Sequence, residues 1–108
     1  MKKLDTWAGR GSFQYEGSVN EGTKIYFGAD YEYSVLISSQ DFIALLANFK
    51  GRDVNIGTSR TDPPNGSVGE WLMENVTKTA VASYVGPILI HEGYAEKEKR
   101  PYISFRSL

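Results

Sequence analysis

The sequence predicts an α+β domain: an N-terminal antiparallel β-meander over residues 1–38, followed by an α/β part over residues 39–106. Three observations carry that prediction. Phe13-Gln14-Tyr15-Glu16 and the stretch Tyr31–Ile37 alternate apolar with polar residues, the period of a half-buried strand. Phe42, Leu45, Leu46 and Phe49 recur at i, i+3, i+4 and i+7, the stripe of an amphipathic helix. An apolar stretch around Ile88-Leu89-Ile90 stops at Gly93, passes through a charged step, and returns as Tyr102-Ile103-Ser104-Phe105. A chain of 108 residues with 41% hydrophobic side chains fits one domain with a packed core.

Taken in order, residues 1–11 read as a loose start, with Gly9 and Gly11 around Arg10. Phe13–Glu16 is the first strand, and Gly17–Thr23 has turn chemistry. Lys24–Phe27 is the second strand, and Gly28-Ala29-Asp30 makes a turn. Tyr31, Tyr33, Val35 and Ile37 then share one face of a third strand, with Glu32 and Ser34 on the other. The first helix opens at Ser38-Ser39, with Ser38 and Asp41 at capping-box spacing, and ends near Lys50-Gly51. Val54-Asn55-Ile56 is a short strand. Pro63-Pro64 removes two donors, so Thr61–Gly66 is a loop. Ser67 and Glu70 form a capping box for a second helix whose inner face is Val68, Trp71, Leu72 and Val76.

A third helix starts after Thr77 as its cap and runs from Lys78 to Glu92, with Val81, Val85, Ile88, Leu89 and Glu92 at helical spacing. Pro87 lies inside it, so a hairpin of Ala80–Val85 and Ile88–Glu92 turning at Gly86-Pro87 is the alternative. Tyr94–Lys97 and Tyr102–Phe105 are the strands of a terminal hairpin, and Glu98-Lys99-Arg100-Pro101 is its tip. The order helix, strand, helix, helix, strand, strand over residues 39–106 resembles a winged helix-turn-helix. The local cue is Leu89-Ile90-His91-Glu92-Gly93-Tyr94-Ala95-Glu96-Lys97, which is similar to the end of a recognition helix, its glycine and the first wing strand. The resemblance implies that the third helix enters a major groove and the wing touches backbone or minor groove. Winged helices also serve as protein-interaction modules, so it carries topology further than function.

Composition narrows the function classes. Net charge is −1, with a slight acidic excess before Lys50 and a slight basic one from Lys50 onward. That balance argues against strong sequence-independent DNA binding, which draws on phosphate contacts. There is no cysteine, so disulfides and thiolate chemistry are absent, and one histidine cannot build a histidine metal cluster. No apolar run reaches a membrane span, and none follows Met1-Lys2-Lys3, so a cytoplasmic protein is expected. No motif specifies catalysis or a cofactor, and the expectation is a non-enzymatic protein.

Under the resemblance, the third helix offers Lys78, Thr79, Ala82, Ser83 and Gly86, and the wing tip offers Lys97, Lys99 and Arg100. The nucleic-acid set is therefore Lys78, Thr79, Ser83, Lys97, Lys99 and Arg100, with weak duplex DNA binding expected. Glu96 and Glu98 interleave with the wing cations, as in an ordinary solvated turn. The same small residues could instead pack another chain, as a homodimer or a different protein partner. Two further candidates are Arg60, in a Thr/Ser/Asp/Pro loop, and an aromatic surface from Tyr26, Tyr31 and Tyr33 for a small molecule. Trp7–Ser12 is glycine-rich but lacks the P-loop lysine. His91 beside Glu92 and the pair Asp62 and Glu70 complete the titratable candidates.

Overall fold

The computed structural model describes residues 1–107. Its first sheet holds four antiparallel strands in sequential order: β1 (Lys2–Asp5), β2 (Ser12–Ser18), β3 (Gly22–Phe27) and β4 (Tyr33–Ile37). Alternation along these strands buries Phe13, Tyr15, Ile25 and Ile37 on one face and leaves Glu16 and Leu36 outward on the other. The register sets Tyr15 beside Ile25 and Ile25 beside Val35, so the inner faces of β2, β3 and β4 form one apolar surface.

The expected loose start is instead a strand. Lys2–Asp5 pairs with β2, Leu4 lies opposite Phe13, and Trp7 just beyond is 5% exposed. Its residues are mostly charged, and its apolar contacts come from tertiary neighbours, so no period-two signal marks it. Tyr31 is also displaced from its expected strand face. It sits in the β3–β4 turn with φ 55°, its N–H donating to the Gly28 carbonyl at 3.2 Å.

Helix α1 (Ser39–Phe49) forms as its stripe predicts, burying Phe42, Leu45 and Phe49. Ser38 Oγ accepts the Asp41 N–H and Asp41 Oδ2 accepts the Ser38 N–H, each at 3.0 Å. Strand β5 (Asp53–Asn55) and helix α2 (Val68–Asn75) follow. Ser67 Oγ accepts the Glu70 N–H at 3.1 Å, but the Glu70 carboxylate takes the Gly66 N–H at 2.8 Å, so the box closes one residue early. Gly69 costs α2 roughly 1 kcal/mol of helix propensity. It is there because a Cβ would overlap the Gly57 carbonyl, while its own N–H donates to the Ile56 carbonyl at 2.9 Å.

Helix α3 (Ala82–His91) is continuous across Pro87, so the hairpin alternative does not form. It starts later than expected. Val81 is its N-cap, and Thr77 Oγ1 accepts the Thr79 N–H at 3.2 Å in a turn that ends before the helix. Proline at 87 leaves the Ser83 carbonyl without its i+4 donor. That carbonyl accepts the Trp7 N–H at 2.9 Å, so the N-terminal segment supplies the missing bond. Strands β6 (Ala95–Lys97) and β7 (Tyr102–Phe105) then form the terminal hairpin. They make a second antiparallel sheet with β5, in the order β5-β7-β6.

The two parts share one core in which Trp7, Phe13 and Ile25 join Val54, Val85, Leu89 and Ile103. Helix α3 is the shared element, touching β1 of the first sheet and β6 of the second. Tyr84 stacks on Phe27 with ring centroids 5.1 Å apart and tilts against Phe13 at 5.2 Å. At the far end of α3, Glu92 Oε2 accepts the Tyr15 hydroxyl at 2.7 Å and Oε1 accepts the Val19 N–H at 3.0 Å. No described helix is long and apolar enough to cross a membrane.

Candidate functional site

The small residues of α3 face inward. Ala82 and Gly86 are buried, and a Cβ on Gly86 would lie 2.9 Å from both Ile56 Cδ1 and Trp7 Cε3. The face expected to meet DNA or another chain is the socket for Trp7, and Ser83 contributes its carbonyl to the same joint. The alternative of a packing face is therefore met within the chain itself.

The hairpin cations divide. Lys97 Nζ donates to the Trp7 carbonyl at 2.9 Å and sits 4.6 Å from the centre of the Trp7 ring. Arg100 reaches the Ala8 carbonyl at 3.5 Å, and Arg106 pairs with Glu96 at 3.1 Å. Lys99 is exposed and has no side-chain partner among the described residues. Lys78 and Thr79 are exposed on the turn before α3, so they do not belong to a helical reading face. The Trp7–Ser12 loop is not an anion cradle either. The Trp7 N–H goes to Ser83, and the Thr6 and Gly9 N–H groups close the loop on Gly11 and Thr6 carbonyls.

Of the other candidates, His91 is exposed at the end of α3 and Glu70 is committed to Gly66. No group of three or more His, Cys, Asp or Glu is placed to hold a metal among the described residues. Tyr15 carries a displaced titration: burial first, and then the hydrogen bond and charge of Glu92, push its hydroxyl above the usual tyrosine range. That part-buried pair lies at the edge of the core and joins the two parts of the molecule.

The three meander tyrosines part company. Tyr26 donates to Glu16 Oε1 at 2.8 Å on the outer sheet face. The Tyr31 hydroxyl bonds Ser12 Oγ at 2.8 Å. Tyr33 turns to the inner rim, where its ring stacks on Phe27 at 5.7 Å, and Phe27 stacks on Tyr84. These rings form one wall of a cleft of about 320 Å³, and Gly28, Arg60, Thr79 and Ala80 line the rest. The volume is at the small end of ligand pockets. The outermost ring, Tyr33, is 60% exposed. Arg60 has neither an ion pair nor a side-chain hydrogen bond among the described residues. Three elements distant in sequence thus bring an open aromatic face beside an unpaired guanidinium.

Sequence reasoning singled out Tyr33, Arg60 and Thr79, but for three separate sites. It missed Phe27 and Tyr84 as cleft residues because each reads as core from its local pattern. The chain matches no known family model, no curated protein and no solved structure.

Proposed function

We propose that the protein is a non-catalytic binding module and that the cleft between the β4 rim, the Arg60 loop and the turn before α3 holds its ligand. The ligand class that fits carries an aromatic ring next to a negative charge, as an unpaired nucleotide of a single strand does. The observation that carries this reading is the exposed Tyr33 ring, at the end of a three-ring stack, beside the unpaired Arg60. A base stacks on an aromatic side chain with a contribution of about 1–3 kcal/mol, largely independent of its identity. Arginine adds a charge-assisted contact to the phosphate. Lys78 is exposed one residue before Thr79 and extends the positive charge along the turn.

With one cation lining the cleft, a second on the adjoining turn and a net charge of −1, binding is weak and only mildly salt-dependent. Titration of a labelled mixed-sequence single strand at low and moderate salt should give a dissociation constant on the order of micromolar or poorer. Tyr33→Ala should weaken binding roughly 5- to 100-fold, from the loss of one stacked base. Arg60→Ala should flatten the salt dependence by about 0.7 of a slope unit. Binding that ignores both changes, or no binding at low salt, overturns the reading.

A second reading keeps duplex DNA as the ligand, contacted through the β6–β7 tip. It rests on the order of elements from α1 to β7 and on the outward Lys99. The same titration with a hairpin duplex tests it, using Lys99→Ala/Arg100→Ala and leaving Lys97 in place because it holds Trp7. Duplex binding at least as tight as single-strand binding, and sensitive to that double change, would favour it.

A further inference from the structure

We infer that β4 is a dimerisation edge whose partner is the β4 strand of a second copy of this chain, paired antiparallel to make one continuous eight-stranded sheet. The two sheets leave four open edges: β1, β4, β5 and β6. Three of them are guarded by charge. Strand β1 carries Lys2, Lys3 and Asp5, β5 carries Asp53, and β6 carries Glu96 and Lys97. Such residues are the usual protection against edge-to-edge pairing. Strand β4 reads Tyr33-Ser34-Val35-Leu36-Ile37 and has no charge, proline or glycine. Its side chains suit a pleated surface, and its outward backbone groups form an unused hydrogen-bond ladder.

Two of the large apolar side chains left exposed among the described residues lie on β4, and a third lies in the helix that follows it. Leu36 is 71% exposed, Tyr33 60%, and Ile43, in the helix that starts two residues after β4, 67%. A monomer gains nothing from leaving Leu36 in water on an outer face otherwise lined by Gln14, Glu16, Lys24, Tyr26 and Ser34.

The occupant is a second copy because the strand is self-complementary. A two-fold axis at Val35 sets Val35 against Val35, Ser34 against Leu36 and Tyr33 against Ile37 of the other chain. Extending the pairing sets Glu32 against Ser38, so no like charges oppose one another across the joint. On the outer face the two Leu36 side chains become diagonal neighbours, roughly 7–8 Å apart and within reach of each other. The edge shares Tyr33 with the cleft, but Leu36 does not line the cleft, so changes at Leu36 test the edge separately from the ligand reading.

Sedimentation of the full chain across a concentration series should show mass rising from one chain to two. Leu36→Lys and Leu36→Glu should each raise the dimer dissociation constant at least tenfold, and an equimolar mixture of the two variants should recover dimer. Leu36 is mostly exposed, so both variants should keep the wild-type circular dichroism spectrum and melting temperature within a few degrees. Arg60→Ala should leave the dimer unchanged. A wild-type chain that stays monomeric into the millimolar range overturns the inference. So does a dimer that both Leu36 variants leave intact, or a mixture that fails to recover dimer.

Discussion

Tyr15 and Glu92 are far apart in sequence, yet a part-buried 2.7 Å hydrogen bond joins them at the edge of the core. The Glu92 carboxylate holds the meander to the end of α3 by this bond and by the Val19 N–H. Hydrogen bonds to a charged group contribute roughly 1.5–3 kcal/mol. Tyr15→Phe should therefore lower stability by about 2 kcal/mol at neutral pH. The pH dependence has a definite sign. Burial and Glu92 raise the folded tyrosine above its unfolded value, so the folded state holds the proton more tightly. The contribution is complete below about pH 10, the ordinary tyrosine value, and is lost as pH rises beyond it. Denaturant melts from pH 7 to 11 should show an alkaline decline that Tyr15→Phe flattens. An identical decline in the variant would remove Tyr15 as its source.

At the scale of an element, α3 owes its form to its partner segment. A helix with Gly86 and Pro87 at its middle is a poor isolated helix, because one residue adds backbone freedom and the other deletes a hydrogen bond. Both features serve the Trp7 joint. Gly86 makes room for the ring, and Pro87 frees the Ser83 carbonyl for the Trp7 N–H. Gly86→Ala would raise helix propensity by about 1 kcal/mol. The added methyl would meet Trp7 and Ile56 at 2.9 Å in a packed core, where overpacking costs about 1–3 kcal/mol. The expected outcome is a net loss of about 1 kcal/mol by denaturant unfolding, with altered Trp7 fluorescence. A stabilised variant would mean the socket relaxes freely.

For the whole molecule, the consequence is that residues 39–106 do not carry their own core. Removing 1–38 takes away Trp7, Phe13, Tyr15 and Ile25, all of which pack in the shared core. The exposed flank of α3 would then be Ala82, Val85 and Leu89, which are 2% exposed or less in the intact chain. A fragment starting at residue 39 should retain helical far-ultraviolet signal, lose near-ultraviolet dichroism and bind a hydrophobic dye. A sharply melting fragment with native near-ultraviolet signal would show the C-terminal part to be self-sufficient.

What the sequence determined by itself was local. Period-two alternation marked β2 and β4, with β3 placed between two turns; the Phe42–Phe49 stripe and the Ser38–Asp41 cap marked α1; Gly93 and the charged step marked the β6–β7 hairpin. Each of these signals lies within about ten residues and reflects which side of one element meets water. Three things were decided only by the tertiary structure. Strand β1 exists because β2 pairs with it and the core accepts Leu4 and Trp7. The small face of α3, read as outward, is buried against one tryptophan from the other end of the chain, and Lys97 bonds that tryptophan's carbonyl. The cleft brings together Tyr33, Arg60 and Tyr84, which no spacing links. The physical reason is common to all three. A side chain's burial and partners depend on which surface arrives opposite it, and in this fold the arriving surfaces lie dozens of residues away.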